Sequence, residues 1–320
     1  RLLELVGLGA ANTGNVLTET GHHAEAERAY LRSLEARQAL AEAHPTVVRY
    51  RLQLGQTYSS LGDARRLLGR DAEALAALGE ARSTFEGLIA RDPDDVDARG
   101  RLARTLNTIG CIRDDREEHR EAVPEFRRAV DEYRRAIAGA AEVVDLRFGL
   151  ALSLANLAEQ HADLGELGPT RSAWDEAARA LLDVLRDPAA GPSHVPICLA
   201  LATTSGDVRL HTGDAEGALA RFEEVADAIR DARAADGATR ASAAADLDVR
   251  RVAAHLAAGR ADAAEHLLDR LEADLRARGP AARSTLSEVL WLRAAAARRA
   301  GRAADAVEAE RADLWTPADA

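Results

Sequence analysis

A repeat of 48 residues constrains this 320-residue chain more than any other feature of its sequence. Small residues recur at that spacing with large apolar residues beside them, which is typical of a repeated structural unit. A unit this short buries its apolar face only by stacking on its neighbours. The coincident positions are Val48, Val96 and Val144; Leu54, Leu102 and Leu150; and Gly62, Gly110, Ala158 and Gly206.

Residues 101–130 show what one unit contains. Each half carries apolar residues at spacings of three and four, the pattern of an amphipathic helix, and a polar turn separates the halves. Gly110 and Ala122 stand where two such helices would need to touch closely. The sequence therefore predicts an antiparallel helical hairpin with no strands.

A glycine marks the turn inside each predicted hairpin except the third, where Glu117 stands at that position, so the hairpins can be counted along the chain. Asp94 and Ser193 precede two of the predicted helices and are predicted to cap them. The pattern predicts an all-α chain of about seven hairpins, at 1–44, 45–92, 93–141, 142–188, 189–237, 238–279 and 280–320. Because the chain holds no methionine, even at position 1, we expect a fragment of a longer protein. The turn positions are Gly21, Gly69, Glu117, Gly165, Gly213, Gly259 and Gly301.

Charge and composition restrict the class of partner. The net charge is −11, and nucleic-acid binding asks for basic patches, so nucleic acid is not an expected partner. All 42 basic residues are arginine, which we interpret as the codon usage of a GC-rich bacterial genome. No signal peptide or membrane span is predicted, and Cys111 and Cys198 are predicted to be reduced thiols. These features favour a cytoplasmic protein without a membrane partner.

Motifs that would indicate catalysis or cofactor binding do not occur. His22 and His23 fall in a hairpin turn, and no histidine belongs to a His-Glu-x-x-His group. Gly7 and Gly9 form half of a dinucleotide fingerprint, without the preceding strand or the third glycine. The acidic run 92–97 lacks the glycine and the final glutamate of a calcium loop. We therefore predict no enzyme activity, no cofactor and no metal site.

The small-and-large pattern resembles the tetratricopeptide repeat, whose signature is W-x2-L-G-x2-Y, then A-x3-F, then P. The second and third hairpins match best, and the match weakens after Gly213. Repeats of 42 to 48 residues are more similar to the long repeats of kinesin-light-chain-type proteins and to the arrays of some bacterial serine/threonine kinases. The residues that carry the resemblance are Tyr58, Leu61, Gly62, Ala74, Leu78 and Ala81, then Leu106, Ile109, Gly110, Ala122, Phe126 and Ala129.

The resemblance implies one right-handed superhelical solenoid over residues 1–320, with a concave surface formed by the first helix of each hairpin. It implies a scaffold that binds a protein or peptide. One alternative is a non-catalytic regulatory or sensor region of a larger bacterial enzyme, such as a serine/threonine kinase or a protease. Another is a spacer that assembles with itself, and the oligomeric state stays open.

Positions on the concave surface are also carried over from the family. Over twenty such positions, six carboxylates stand against two arginines, an excess that predicts an acidic groove for a basic partner. An ordinary solvated face is the alternative. The predicted partner-binding residues are Asn15, Gln56, Ser59, Asp63, Arg66, Arg104, Asn107, Asp114, Asp115, Glu159, Asp163, Thr203, Asp207 and His211.

Overall fold

A computed structural model describes residues 1–140, 144–232 and 235–299. Within these ranges the chain forms thirteen α-helices and no strand, which confirms the all-α prediction. The helices are α1 Leu2–Glu19, α2 His23–Ala43, α3 Val48–Leu67, α4 Asp71–Ile89, α5 Val96–Asp115, α6 His119–Gly139, α7 Val144–Asp163, α8 Leu167–Arg186, α9 His194–His211, α10 Ala215–Asp231, α11 Gly237–Ala257, α12 Ala261–Arg278 and α13 Arg283–Arg299. A short 3-10 helix, Gly279–Ala282, precedes α13.

Within the described residues, five consecutive pairs of helices contact each other as hairpins: α1–α2, α3–α4, α5–α6, α9–α10 and α11–α12. The second helix of the predicted seventh hairpin, including Gly301, lies outside them. The chain divides into two compact units, unit 1 at Arg1–Ala173 and unit 2 at Trp174–Ala320, with the boundary inside α8. A single solenoid over 1–320 stays a prediction.

Within each unit the first helices of successive hairpins contact one another. In unit 1 these are α1, α3, α5 and α7, and in unit 2 they are α9, α11 and α13. The second helices α2, α4, α6, α10 and α12 each pack on the first helix before them and on the first helix after them, as α4 packs on α3 and α5. The first helices of a unit therefore form one row, which has the second helices on one side.

Glycines let the two helices of a hairpin approach closely, as predicted. A methyl group added at Gly110 would lie 2.6 Å from the Phe126 ring, and one at Gly62 would lie 2.6 Å from Leu78 Cγ. Gly206 faces Phe222 in the same way. Phe126 and Phe222 are fully buried, so these contacts lie in the core of their units.

The turns inside the hairpins use left-handed backbone. Gly69 has φ +70°, and the same position in the third hairpin is Glu117, with φ 59°. In that turn the Glu117 amide donates to the Asp114 carbonyl at 2.7 Å, and the Glu118 amide donates to the Arg113 carbonyl at 2.8 Å. This is the Schellman arrangement that usually ends in glycine.

The cap prediction was wrong at Asp94, whereas Ser193 does occupy the N-cap position of α9. Asp95, not Asp94, caps α5 by accepting a bond from the Ala98 amide, and Ser193 makes no side-chain cap bond to α9. Among the helices of the described ranges, none is long and apolar enough to cross a bilayer.

Candidate binding face

The predicted partner-binding residues lie on the row of first helices, with unequal exposure. Gln56, Arg104, Glu159 and Asp163 are exposed, whereas Asp63 and Asp114 are half-buried. In unit 2, His211 is exposed and Thr203 is buried. Asn15 on α1 is exposed and accepts a hydrogen bond from the Tyr30 hydroxyl at 2.9 Å. Their role in binding a partner stays a prediction.

A depression of about 400 Å³ opens on the face of unit 1, between α3, α5 and α7. Four predicted residues line it, and two buried rings, Phe85 of α4 and Tyr133 of α6, form its base. Three further charged residues on its wall were not predicted. The predicted residues are Gln56, Ser59, Asp63 and Arg104, and the others are Asp97, Arg101 and Asp145.

The charges in this depression are close to balanced. Asp63, Asp97 and Asp145 stand against Arg101 and Arg104. Burial raises the pKa of the Asp63 carboxyl, and Arg104 and Arg66 oppose that rise. Burial also raises the pKa of Tyr133 to about 12, so its hydroxyl stays neutral. The floor of the depression is therefore aromatic, and its walls carry charges of both signs.

A denser acidic group lies at the ends of α5 and α7. Asp114 Oδ1 is 3.3 Å and Asp163 Oδ2 is 3.8 Å from Nδ1 of His119, the first residue of α6. Gln160 joins the group, because its Nε2 donates to Asp114 Oδ1 at 2.7 Å and its Oε1 lies 3.0 Å from His119 Nδ1. Exposed Glu159 lies beside it on α7. The structure thus brings Asp114 and Asp163 together at a histidine, with the third predicted acid, Glu159, close enough to both to interact electrostatically.

Because the charged groups around His119 lie close together, they shift the pKa values of one another. Glu159 is exposed, but neighbouring side chains remove part of its hydration, and this desolvation raises its pKa; the negative charges of Asp114 and Asp163 raise it further. The hydrogen bond with Gln160 raises the pKa of His119, as do Asp163 and Asp114, against a lesser effect of desolvation. The remaining predicted acid, Asp115, is exposed and pairs with Arg66 at 3.5 Å. Excess negative charge therefore collects at Asp114, Glu159 and Asp163.

Unit 2 carries a second depression, of about 420 Å³, between α9, α10 and α11. Thr203 is the predicted residue on its wall, with Asp246 and Arg250 opposite. Arg250 Nε donates to Asp207 at 3.0 Å, so the predicted acid of this unit is neutralised by its own chain. Of the other predicted residues, His211 Nδ1 lies 2.7 Å from the Asp207 carbonyl oxygen, and in unit 1 Asn107 accepts from Asn156 at 3.1 Å.

Cysteines take no part in a disulfide. Cys198 is buried and Cys111 is half-buried, and both are free thiols. Burial raises the pKa of Cys198 to about 12 and that of Cys111 to about 11. Both therefore stay protonated near neutral pH and are unreactive as nucleophiles.

Comparisons with known proteins give a structural likeness only. No protein-family model and no curated protein matches the sequence. The signal-transduction ATPase with numerous domains from Pyrococcus horikoshii, which has a tetratricopeptide repeat sensor, matches at a TM-score of 0.54 and 14% identity. That match covers 97% of this chain and 46% of the Pyrococcus chain, so this chain spans less than half of that protein's length.

Two further solved structures are similar at lower scores. BtubC (BKLC) from P. vanneervenii matches 77% of this chain and 87% of its own, at 20% identity and a TM-score of 0.49. The Rap conjugation gene regulator of plasmid pLS20, solved with the Phr* peptide, matches at 14% identity and a TM-score of 0.45. That match covers 92% of this chain and 76% of the Rap chain. The paired helices, the close glycine contacts and the Pyrococcus structure agree: this chain has the fold of a tetratricopeptide-type repeat protein.

Proposed function

We propose that the chain is a non-catalytic scaffold that binds a protein or peptide segment along the first helices of unit 1, and that this segment is basic. The observation that carries the proposal is the depression between α3, α5 and α7, where four of the predicted residues meet above two buried rings. Open space above aromatic side chains with polar walls is what a partner side chain needs to anchor.

The size of the depression supports a side chain rather than a whole folded partner. A volume of about 400 Å³ is at the low end of ligand sites. Gln56 and Ser59 on its wall supply neutral hydrogen-bonding groups, and neighbouring exposed positions on α5 and α7 can contact an extended segment. A segment that enters at the depression and continues along the row would reach Glu159.

The basic character of the partner rests on charge. Among the predicted residues of unit 1, five carboxylates stand against two arginines. Desolvation raises the pKa of Glu159, and the negative charges of Asp114 and Asp163 raise it further, so a positive side chain there relieves repulsion. Such a field speeds association with a basic segment and disfavours nucleic acid. A cytoplasmic location, where the two thiols stay reduced, belongs to the same proposal.

The test first selects peptides that bind the chain and then measures how changes of charge affect their binding. Peptides are selected from a random display library on the intact chain in a buffer with a metal chelator, and the affinity of each selected peptide is measured. We expect enrichment in arginine and lysine, about tenfold weaker binding to Glu159→Arg, and weakening by added salt.

Glu25→Arg is the matched control, because Glu25 is an exposed carboxylate on the second helix α2 of the same unit. This variant should bind the selected peptides as the wild type does. Peptides without basic residues would overturn the proposed charge preference. Equal losses in Glu159→Arg and Glu25→Arg would show that the peptides use another surface.

A second candidate is the sensor region of a larger enzyme. The Pyrococcus protein that shares this fold has a tetratricopeptide repeat sensor, and the match covers 46% of that chain. Gene sequence flanking residues 1 and 320 tests this candidate, because an ATPase, kinase or protease motif there would support it.

A further inference from the structure

Three side chains from three helices meet at the ends of α5 and α7, and they are the residue types that bind metal ions. Asp114, His119 and Asp163 each offer one ligand atom, and these atoms all lie within 4.8 Å of one another. We propose that Asp114, His119 and Asp163 form a binding site for a divalent first-row transition-metal ion such as zinc. The proposal does not depend on the proposed function.

The distances fit one shared ion. Zinc binds histidine nitrogen and carboxylate oxygen at about 2.0–2.2 Å, which places neighbouring ligand atoms roughly 3.0–3.5 Å apart. His119 Nδ1 lies 3.3 Å from Asp114 Oδ1 and 3.8 Å from Asp163 Oδ2. Small rotations of these partly exposed side chains would close the remaining gap.

The backbone holds the three ligands at fixed places. Asp163 is the last residue of α7 and Asp114 the second-last of α5, and His119 is the first of α6. The carboxyl ends of α5 and α7 carry partial negative charge, which favours a cation. The amino end of α6 opposes this, but two carboxylates and two helix ends outweigh one helix end.

A supporting residue is already in position. Gln160 is 1% exposed, and its amide contacts both Asp114 Oδ1 and His119 Nδ1. Outer groups of this kind orient metal ligands, and their loss typically costs tenfold to 100-fold in affinity. When a metal binds Nδ1, the Gln160 contact with that nitrogen is given up and the bond to Asp114 remains.

The ligand types indicate which ions bind. Imidazole suits zinc, cobalt and nickel, whereas magnesium and calcium prefer oxygen ligands alone. Three protein ligands leave at least one coordination position for water. Because a metal binds the neutral imidazole and the carboxylate forms of its ligands, zinc binding at this site should weaken as the pH is lowered.

The test uses the intact chain and the metal alone. Calorimetry with zinc chloride near neutral pH should show one site per chain. His119→Ala and Asp163→Asn should each weaken zinc binding about 100-fold or more, and Gln160→Ala about tenfold. Cobalt should give a visible absorption spectrum that disappears in His119→Ala.

His22→Ala and His211→Ala are the matched controls, since both histidines are exposed and neither belongs to the group. They should keep the site. Circular dichroism shows whether each variant is folded, and zinc should raise the melting temperature of the wild type but not of Asp163→Asn. Equal zinc affinity in the wild type and His119→Ala, or no response of the wild type to zinc and cobalt, would overturn the metal site.

Discussion

The depressions of unit 1 and unit 2 occupy equivalent places in the repeat and differ in chemistry. Ser59 and Phe85 in the first correspond to Thr203 and Ile229 in the second, 144 residues, or three periods, further on. On the opposite wall the offset is 142, because the turn at Gly259 follows Gly213 after only 46 residues. At that offset Asp246 stands where unit 1 has Arg104.

The comparison separates what the repeat determines from what individual residues determine. The repeat sets where a depression forms, because the same helix positions leave the same space. Its aromatic base and its charges are set residue by residue: a phenylalanine becomes an isoleucine and an arginine becomes an aspartate. Under the proposed function, the two units would therefore select different partner side chains.

The same contrast holds at the acidic positions. Asp63 in unit 1 is a carboxyl whose pKa is raised by burial, whereas its equivalent Asp207 is paired with Arg250 at 3.0 Å. Among the described residues, two aspartates and a histidine come together in this way only in unit 1, at Asp114, His119 and Asp163. Substitutions at matched positions of the two units test how far this difference extends.

The largest expected effect comes from overpacking one unit at a time. Ala122 and Ala218 are fully buried at equivalent positions 96 residues apart. Ala122→Leu should lower the free energy of unfolding by about 1–3 kcal/mol, since the larger side chain meets Phe126 and Leu157. Ala218→Leu should have a similar cost in unit 2.

Two probes distinguish the units in denaturant. Trp174 and Trp291, the two tryptophans of the described residues, lie in unit 2, so their fluorescence follows that unit, whereas circular dichroism follows both units. Because repeats couple mainly to neighbours, Ala122→Leu should shift the dichroism transition more than the fluorescence transition. The reverse order, or an unchanged stability in Ala122→Leu, would show that the repeat register is wrong.

Much of the fold could be predicted because the spacing of small and large apolar residues, close together in the sequence, shows where each helical hairpin lies. Gly110 and Phe126 are in contact, as their places in the repeat predict. The family resemblance also placed Gln56, Ser59, Asp63 and Arg104 on one face, and these four residues line one depression in the structure. Their role in binding stays a prediction.

Contacts that cross between helices could not be predicted in the same way. His119 lies five residues after Asp114 and 44 before Asp163, so no metal-ligand spacing is visible along the chain. Arg250 neutralises Asp207 from a different hairpin, which a count over one set of positions omits. Asp95 and not Asp94 caps α5, because adjacent aspartates differ only in backbone geometry.

A smaller effect is expected at the turn inside the third hairpin. Glu117 has φ 59°, a left-handed conformation that costs about 1–2 kcal/mol for a residue with a side chain, whereas unit 2 has Gly213 at the same place. Glu117→Gly should stabilise unit 1 by about 1 kcal/mol, and Gly213→Ala should destabilise unit 2 by a similar amount. Thermal unfolding measures both changes.

Glu117→Ala provides the control for charge, because it removes the carboxylate and keeps the side-chain strain. If Glu117→Ala stabilises the protein as much as Glu117→Gly does, then charge and not backbone conformation accounts for the gain.

The smallest expected effects have opposite signs at Asp63 and Asp207. Burial raises the pKa of Asp63 in the folded state. Protonation of Asp63 therefore contributes stability that is fully present below its ordinary pKa of 3.8. This contribution is lost as the pH rises through the raised pKa of the folded state. Asp63→Asn should therefore stabilise the protein near neutral pH, by up to about 1 kcal/mol. That gain should shrink as the solution is acidified through this window.

Asp207→Asn should instead destabilise the protein by at most about 1 kcal/mol, because it removes the partly exposed ion pair with Arg250. Added salt should diminish this loss, since the pair is screened, and should leave the Asp63→Asn gain nearly unchanged because desolvation causes it. Urea unfolding at two pH values and two salt concentrations measures both variants. Equal signs at neutral pH would mean that Asp63 is stabilised by Arg104 and Arg66 as Asp207 is by Arg250, and the electrostatic contrast between the two faces would be lost.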